Sequence, residues 1–399
     1  MTKNSLSQLQ IRLHSLAIFR NLLNDPVMES LLVYLESLQI GPLSHAVSCY
    51  GQFVSRLYAA GSTTLARYVE QLAGDDENPY IRRIGRGETP APEMVGCVRA
   101  ELDILQAAAD LTPETLRSGL EWDGYLPVFQ TEPVDIAASY RHRCENIGKL
   151  GYGIYARHRM FYVGDNGQIV PVHNPDKIRL SSLIDYKREQ QIILDNTLAL
   201  LSGKPAANIL LTGDAGTGKS STVKAVVNEL AYKGLRILEV RKEQLHAIPA
   251  ILDELNSNPL KFILFIDDLS FQKDDDNFSA LKAILEGSVS AKSRNIVIYA
   301  TSNRRHLVKE TFSDRDGDDV HRNDTMQELL SLSERFGIQV TFQKPDKKTY
   351  LGIVHHLAKE KGIQIEESQL DALAERYALG RSGRSARAAN QFIDGLLAK

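Results

Sequence analysis

The chain has 399 residues, 43% hydrophobic and 24% charged, with 47 basic side chains against 50 acidic ones and a formal net charge of −3. That length predicts two or three domains, each with enough apolar content for a core of its own. Near-balanced charge excludes a global field that would draw nucleic acid or an anionic membrane to the protein, leaving local basic surfaces as the remaining route. Cys49, Cys97 and Cys144 are odd in number and lack C-x-x-C spacing, which argues against both a disulfide framework and a zinc site. No run approaches the ~18 apolar residues needed to span a bilayer. Met1 to Ser5 leads into periodic rather than continuous apolar residues, unlike a secretory signal. The expectation is a cytoplasmic protein with no membrane partner and buried thiols.

From Ser5 to Leu120 the apolar spacing is helical. Leu9, Leu13, Leu16, Phe19 and Leu23 fall on one face, with breaks at Asn24-Asp25-Pro26 and Gly41-Pro42. Thr112-Pro113 reads as an N-cap followed by proline at the first helical position. Gly74 to Pro92, where Asp, Glu, Gly and Pro cluster, reads as a surface loop. Residues 1–150 are therefore predicted to be an all-helical N-terminal domain without visible chemistry, a module for a protein partner or substrate. Across residues 151–179, two β-like runs between Ala156 and Val172 flank Gly164-Asp165-Asn166-Gly167, a hairpin signal, and His173-Asn174-Pro175-Asp176 then breaks the chain.

From residue 180 to 344, strand-like runs alternate with helical ones, the pattern of a parallel sheet covered on both faces. The predicted strands are Asn208 to Thr212, Leu235 to Val240, Phe262 to Asp267, Ile296 to Ala300 and Ile338 to Phe342. The first leads into Gly213-Asp214-Ala215-Gly216-Thr217-Gly218-Lys219-Ser220, followed by a helix-like segment from Ser221 to Lys233. This strand-loop-helix context is what a G-x-x-x-x-G-K-[ST] phosphate loop requires. Its glycines let the backbone close around an anion while N–H groups and the helix N-terminus point at it. Lys219 supplies a point charge for the β- and γ-phosphates, and the Ser220 hydroxyl is set to ligate magnesium. ATP and Mg2+ are the expected ligands.

Phe262 to Asp268 is an apolar strand ending in two carboxylates. Such a strand delivers its terminal side chains to the sheet's C-terminal edge, with Asp267 expected to hold magnesium and Asp268 to orient or deprotonate water. Ile296 to Asn303 ends in an amide that can bond both a γ-phosphate and a lytic water. Arg335 stands between a helix and the last strand, far from its own loop in sequence and suited to cross a subunit boundary. Residues 345–399 read as a helical lid: Pro345-Asp346 caps Lys347 to Lys361, then come Glu366 to Leu379 and Ser385 to Leu397, with Gly362 and Gly380 as stops. Arg384 at the start of the last helix is a candidate to reach the phosphates, with Arg381 and Arg387 competing.

This order of parts resembles the AAA+ family of ring-forming ATPases, over about Leu180 to the C-terminus. The resemblance implies a five-stranded, doubly wound, parallel phosphate-loop core with a helical lid. It makes Arg335 a finger used by a neighbouring subunit, Asn303 the first sensor and Arg384 the second. Ser333 to Ile338 is similar to the finger segment of branch-migration motors in that family. Asn196-Thr197, Gly218-Lys219-Ser220-Ser221, Asp267 to Phe271 and Thr301 to Leu307 resemble a family of bacterial AAA+-type ATP-binding proteins with no assigned role. Asp268 departs from the Glu of most AAA+ motors and is the shorter by one methylene, as replication initiators and helicase loaders of the family also tend to have it.

Three functions fit. The first is an ATPase in a homo-oligomeric ring or arc acting on a macromolecule. The second is a DNA-associated loader or initiator switch, favoured by Asp268 and by the basic-aromatic segments Tyr140 to Arg143 and Tyr155 to Tyr162. The third is an ATP-gated scaffold with little hydrolysis. Asp314, Asp316, Asp318 and Asp319 resemble a calcium loop, but Thr325 stands where its bidentate Glu is required, so they read as a solvated acidic loop.

Overall fold

Side-chain caps set many of the helix starts. Asp25 accepts from the N–H groups of Val27 and Met28, Pro26 supplies a preset φ at the first position, and the helix Pro26–Ser37 follows. Thr112 and Asp346 act in the same way on Thr115 and Thr349. The computed structural model describes residues 3–269, 276–286, 294–303, 334–381 and 383–398. The acidic stretch from Asp314 to Asp319 and the segment Arg304 to Leu307 lie outside these residues, as do Lys273 to Asp275. Among the described residues no helix is long and apolar enough to cross a membrane.

The chain divides into two units, residues 1–157 and 158–399. The first is helical: α1 (Lys3–His14), α2 (Pro26–Ser37), α3 (Leu43–Ala59), α4 (Leu65–Asp75), α5 (Pro79–Gly85), α6 (Pro92–Ala109), α7 (Pro113–Arg117), α8 (Ile136–Glu145), α9 (Ile147–Leu150) and α10 (Ile154–Arg157). Its core includes Leu6, Leu9, Leu13, Phe19, Tyr34, Tyr50 and Phe53. The Tyr34 and Tyr50 rings meet edge to face at 5.3 Å, and the Tyr34 hydroxyl donates to the Leu116 carbonyl at 2.7 Å. Burial pushes the Tyr34 hydroxyl well above the usual tyrosine range.

Two buried carboxylates tie this unit together. Glu101 accepts from the backbone N–H groups of Ala17, Ile18 and Phe19 at 2.9 to 3.1 Å, satisfying three successive amides that lead into the turn at residues 20–24. Asp75 pairs with Arg143 at 2.9 Å and with Arg157 at 3.0 Å. The stretch Gly74 to Pro92 is not the continuous loop its composition predicts, because α5 lies within it. Asn78 accepts from the Ile81 N–H and Pro79 follows it, so the turn-forming residues there are a helix cap.

The second unit is built on a seven-stranded sheet: β1 (Met160–Val163), β2 (Ile169–Pro171), β3 (Ile209–Gly213), β4 (Leu235–Glu239), β5 (Lys261–Ile266), β6 (Ile296–Ser302) and β7 (Ile338–Phe342), in the order β2-β1-β4-β5-β6-β3-β7. The five predicted core strands are all present and mutually parallel. Two more come from the hairpin: β1 pairs in parallel with β4, and β2 pairs antiparallel with β1. Single-sequence periodicity identifies a hairpin, but not the edge to which it docks.

The helices of this unit are α11 (Lys187–Leu201), α12 (Lys219–Leu230), α13 (Ile248–Asn256) and α14 (Asp276–Glu286), then the lid helices α15 (Lys347–Glu360), α16 (Glu367–Leu379) and α17 (Ala386–Leu397). Phe262, Ile263, Leu264, Phe265 and Ile266 of β5 are all buried, as expected of a central strand covered on both faces. Asn196 and Thr197 on α11 bond the Tyr299 hydroxyl of β6 at 3.0 and 2.8 Å, while Asn196 also exchanges two hydrogen bonds with the backbone of Ala207. That pair therefore fixes the approach to β3. In the lid, Tyr350, Val354, Ala374, Ala389 and Ile393 form a separate core.

Candidate functional site

β3 lies between β6 and β7, and all of its ladder partners are parallel, so its C-terminal end opens at the edge where the chain turns into α12. The turn needs glycine. Gly213 has φ 136°, and a Cβ there would stand 2.0 Å from the Phe342 carbonyl oxygen; Gly216 has φ 79°, and its Cβ would stand 2.9 Å from that of Arg387. Gly218, at φ 94°, precedes the first turn of α12. Asp214 and Ala215 are exposed at the loop's tip, Ser221 is half-buried, and the Thr217 hydroxyl donates back to the Asp214 carbonyl at 2.9 Å.

Lys219 is 5% exposed, and its ammonium donates to the carbonyls of Gly213 and Asp214, each at 2.8 Å, and to Asn303 Oδ1 at 2.9 Å. Burial pulls its pKa down, against the opposing charges of Asp267, Asp214 and Asp268. The lysine is thus held inside the loop's concavity by neutral acceptors that a phosphate oxygen can replace.

Four further polar groups converge on the same edge. Ser220 Oγ donates to Asp267 Oδ1 at 2.6 Å, and Asn303 Nδ2 donates to Asp268 Oδ1 at 2.6 Å. Asn303 consequently bridges Lys219 and Asp268. Asp268 adopts the left-handed conformation, φ 55°, which turns the chain away from the line of β5. The Ser220 hydroxyl and the Asp267 carboxylate are hard oxygen donors on one spot, the chemistry that suits magnesium. Sequence reasoning missed Thr301, whose hydroxyl donates to Asp267 Oδ1 at 2.5 Å and accepts from the Asp268 N–H at 2.9 Å.

The arginines divide. Arg384 forms a two-pronged pair with Glu375, Nε to Oε1 at 2.9 Å and NH2 to Oε2 at 2.7 Å, which raises its own pKa and lowers that of the glutamate. Arg381 lies over the Tyr377 ring at 5.6 Å. Arg387 lies beside the phosphate loop: its backbone N–H donates to the Gly216 carbonyl at 3.3 Å, and Ser385 caps the helix next to it. Arg335 is not brought to this site. It precedes β7 at the opposite sheet edge, where Gly337 faces Ala207 just before β3.

Beside the loop, an open cavity runs between the lead-in to α11 and the lid, walled by Leu183, Ile184, Tyr186, Ile353 and Leu357, with Thr217 and Gly218 at its end. Gln190 holds one wall by donating to the carbonyls of Leu183 and Asp185. Apolar walls joined to a phosphate loop suit a flat, apolar-faced base.

A comparison with curated proteins returns no match. The model of the family described as "Protein of unknown function (DUF815)" matches residues 156–399. Among solved structures, similarity extends to the Holliday junction branch migration motor RuvB of Thermotoga maritima, at 17% identity and TM-score 0.36 over 54% of this chain and 63% of that one. It also extends to the replication initiator DnaA bound to AMPPCP and single-stranded DNA (20%, TM-score 0.39, 57% and 66%) and to C. elegans PCH-2 (18%, TM-score 0.38, 53% and 63%). The chain thus spans less than two thirds of the length of each of these structures.

Proposed function

The chain belongs to the DUF815 family, and on that premise we propose that it is an AAA+-type ATPase that couples Mg2+-dependent ATP hydrolysis to motion of its lid. One observation carries this reading: two bonded groups, Lys219–Asn303–Asp268 and Ser220–Asp267, drawn from the start of α12 and the ends of β5 and β6, are joined through Thr301 beside a glycine-built loop.

In this mechanism the amides of residues 214–219 cradle the phosphates, and Lys219 exchanges its carbonyl acceptors for β- and γ-phosphate oxygens. Ser220 and Asp267 would hold magnesium, which would supply neutralisation of phosphate charge. Asp268 orients a water whose oxygen attacks the γ-phosphorus; the bond to the ADP oxygen breaks, and the water's proton passes to the carboxylate. Asn303, released from Lys219, turns its amide to the γ-phosphate and so registers whether it is present. Arg387, already against Gly216, is the lid's contact with the phosphates. Arg335 serves the site of a neighbouring copy in a ring or arc, and residues 1–150 supply the contact with a macromolecular target.

The test is ATP binding by calorimetry and phosphate release for the parent, Lys219→Ala and Asp268→Asn, with and without DNA at fixed salt. Loss of binding in the first variant, and binding with turnover reduced at least about 100-fold in the second, is the expected outcome. No ATP uptake by the folded parent refutes the proposal. Uptake without phosphate release reduces the protein to a nucleotide-gated scaffold, and stimulation by DNA assigns it to the loader class.

A further inference from the structure

We infer that the Thr301 hydroxyl is the positioning group for both carboxylates of the site, acting on one through its proton and on the other through its lone pair. The inference rests on the ATPase reading for its consequences, and on geometry alone for its substance.

β5 and β6 pair in parallel up to Ile266 opposite Ala300, and the ladder stops there because Asp268 enters the left-handed region. The amide that would otherwise lose its partner, Asp268 N–H, is taken by Thr301 Oγ1 at 2.9 Å, and the next amide, Leu269 N–H, by the Thr301 carbonyl at 2.7 Å. The same hydroxyl gives its proton to Asp267 Oδ1 at 2.5 Å. Thr301 is 2% exposed and Leu269 is fully buried, so on the strand side the hydroxyl and the Leu269 amide are shielded from solvent, while Asp268 itself is exposed.

Asp267 Oδ1 therefore receives two hydroxyl protons, from Ser220 on α12 and from Thr301 on β6. That fixes the rotation of the carboxylate between α12, which follows the phosphate loop, and β6, which lies beside β3. The bond to the Asp268 amide does something different: it stabilises a left-handed backbone conformation that is unfavourable for a non-glycine residue, and so sets where the Asp268 side chain begins. A chain with Asp rather than the longer Glu at this position has less reach to spare, which makes the starting point of the side chain matter more.

Groups that orient metal ligands typically change metal affinity or activity 10–100-fold when removed. Thr301→Val keeps the branched shape in the strand and deletes both hydroxyl bonds, while Thr301→Ser keeps the hydroxyl. In Thr301→Val, the gain in affinity for a non-hydrolysable ATP analogue on adding Mg2+ is expected to shrink about tenfold or more. Affinity measured in EDTA should stay within about twofold, kcat should fall by at least tenfold, and the serine variant should recover most of both.

Amide hydrogen exchange of residues 266–269 without nucleotide reads the same hydroxyl independently. Exchange at Asp268 is expected to accelerate about tenfold or more in Thr301→Val and to be restored in Thr301→Ser. Unchanged exchange at Asp268 in folded Thr301→Val overturns the inference. If exchange changes as expected but magnesium dependence and turnover stay within about twofold of the parent, the hydroxyl is structural and the positioning role is refuted. If the parent takes up no nucleotide at all, the ATPase reading falls, and with it any role for Thr301 in positioning a reactive pair.

Discussion

Asp76 shows how a single buried acid sets a pH dependence. Burial is the main force, pushing its carboxyl up from 3.8 to about 6 against the donors Asn78 and Asn21. The unfolded chain gives up this proton first, so stability is lost as pH rises from about 4 to about 6 and the full penalty persists above that. At about 1.4 kcal/mol per pH unit, the penalty is about 3 kcal/mol at most. Asp76→Asn keeps an acceptor for the Asn78 amide and removes the charge, so it should flatten the slope in that window and raise stability at pH 7. Urea unfolding followed by the fluorescence of Trp122, the single tryptophan, measures this; parallel slopes for parent and variant would contradict it.

At the scale of the element, the lid presents three arginines to choose from, and their packing differs. Arg384 is occupied by Glu375, which Lys347 also approaches at 3.7 Å, so it joins α16 and α15 to the start of α17. Arg387 is the second residue of the capped helix, with its backbone against the loop. Arg387→Ala is expected to weaken ATP affinity about tenfold, the loss of one charge-assisted contact, while Arg384→Ala should leave it within about twofold. Calorimetry on the two variants decides the matter, and the reverse ranking would return the sensor role to Arg384. The sequence marked both residues because each begins the same helix. One sequence cannot show which side of the helix start faces the loop.

At the scale of the whole molecule, Arg335 stands at the N-terminal edge of β7 while the phosphate loop stands at the C-terminal edge of β3, its parallel neighbour. A strand of five residues separates the two edges by about 16 Å, beyond what an arginine side chain spans. If the residue is a finger, it acts on another copy. Arg335→Ala and Lys219→Ala proteins, each inactive alone, should regain turnover when mixed, because the second contributes the arginine that the first lacks. Phosphate release across mixing ratios tests this, and a mixture no more active than its parts argues for an isolated site.

The sequence by itself determined what is local: a glycine-built turn between a buried strand and a helix, acids at the end of an apolar run, and caps at Thr112 and Asp346. Each depends on residues within a few positions of one another, and backbone sterics and nearby amides act over that range. Tertiary structure decided everything that depends on register between distant segments. It set the hairpin beside β4, joined Lys219 to Asp268 through Asn303, placed the Arg387 backbone against Gly216 and the Arg384 side chain on Glu375, and gave Thr301 two carboxylate-bearing neighbours. Hydrogen bonds of about 3 Å form between whichever groups the ladder aligns. A one-residue slip reverses the face on which each side chain stands, so the shared cluster exists only once the strands have paired.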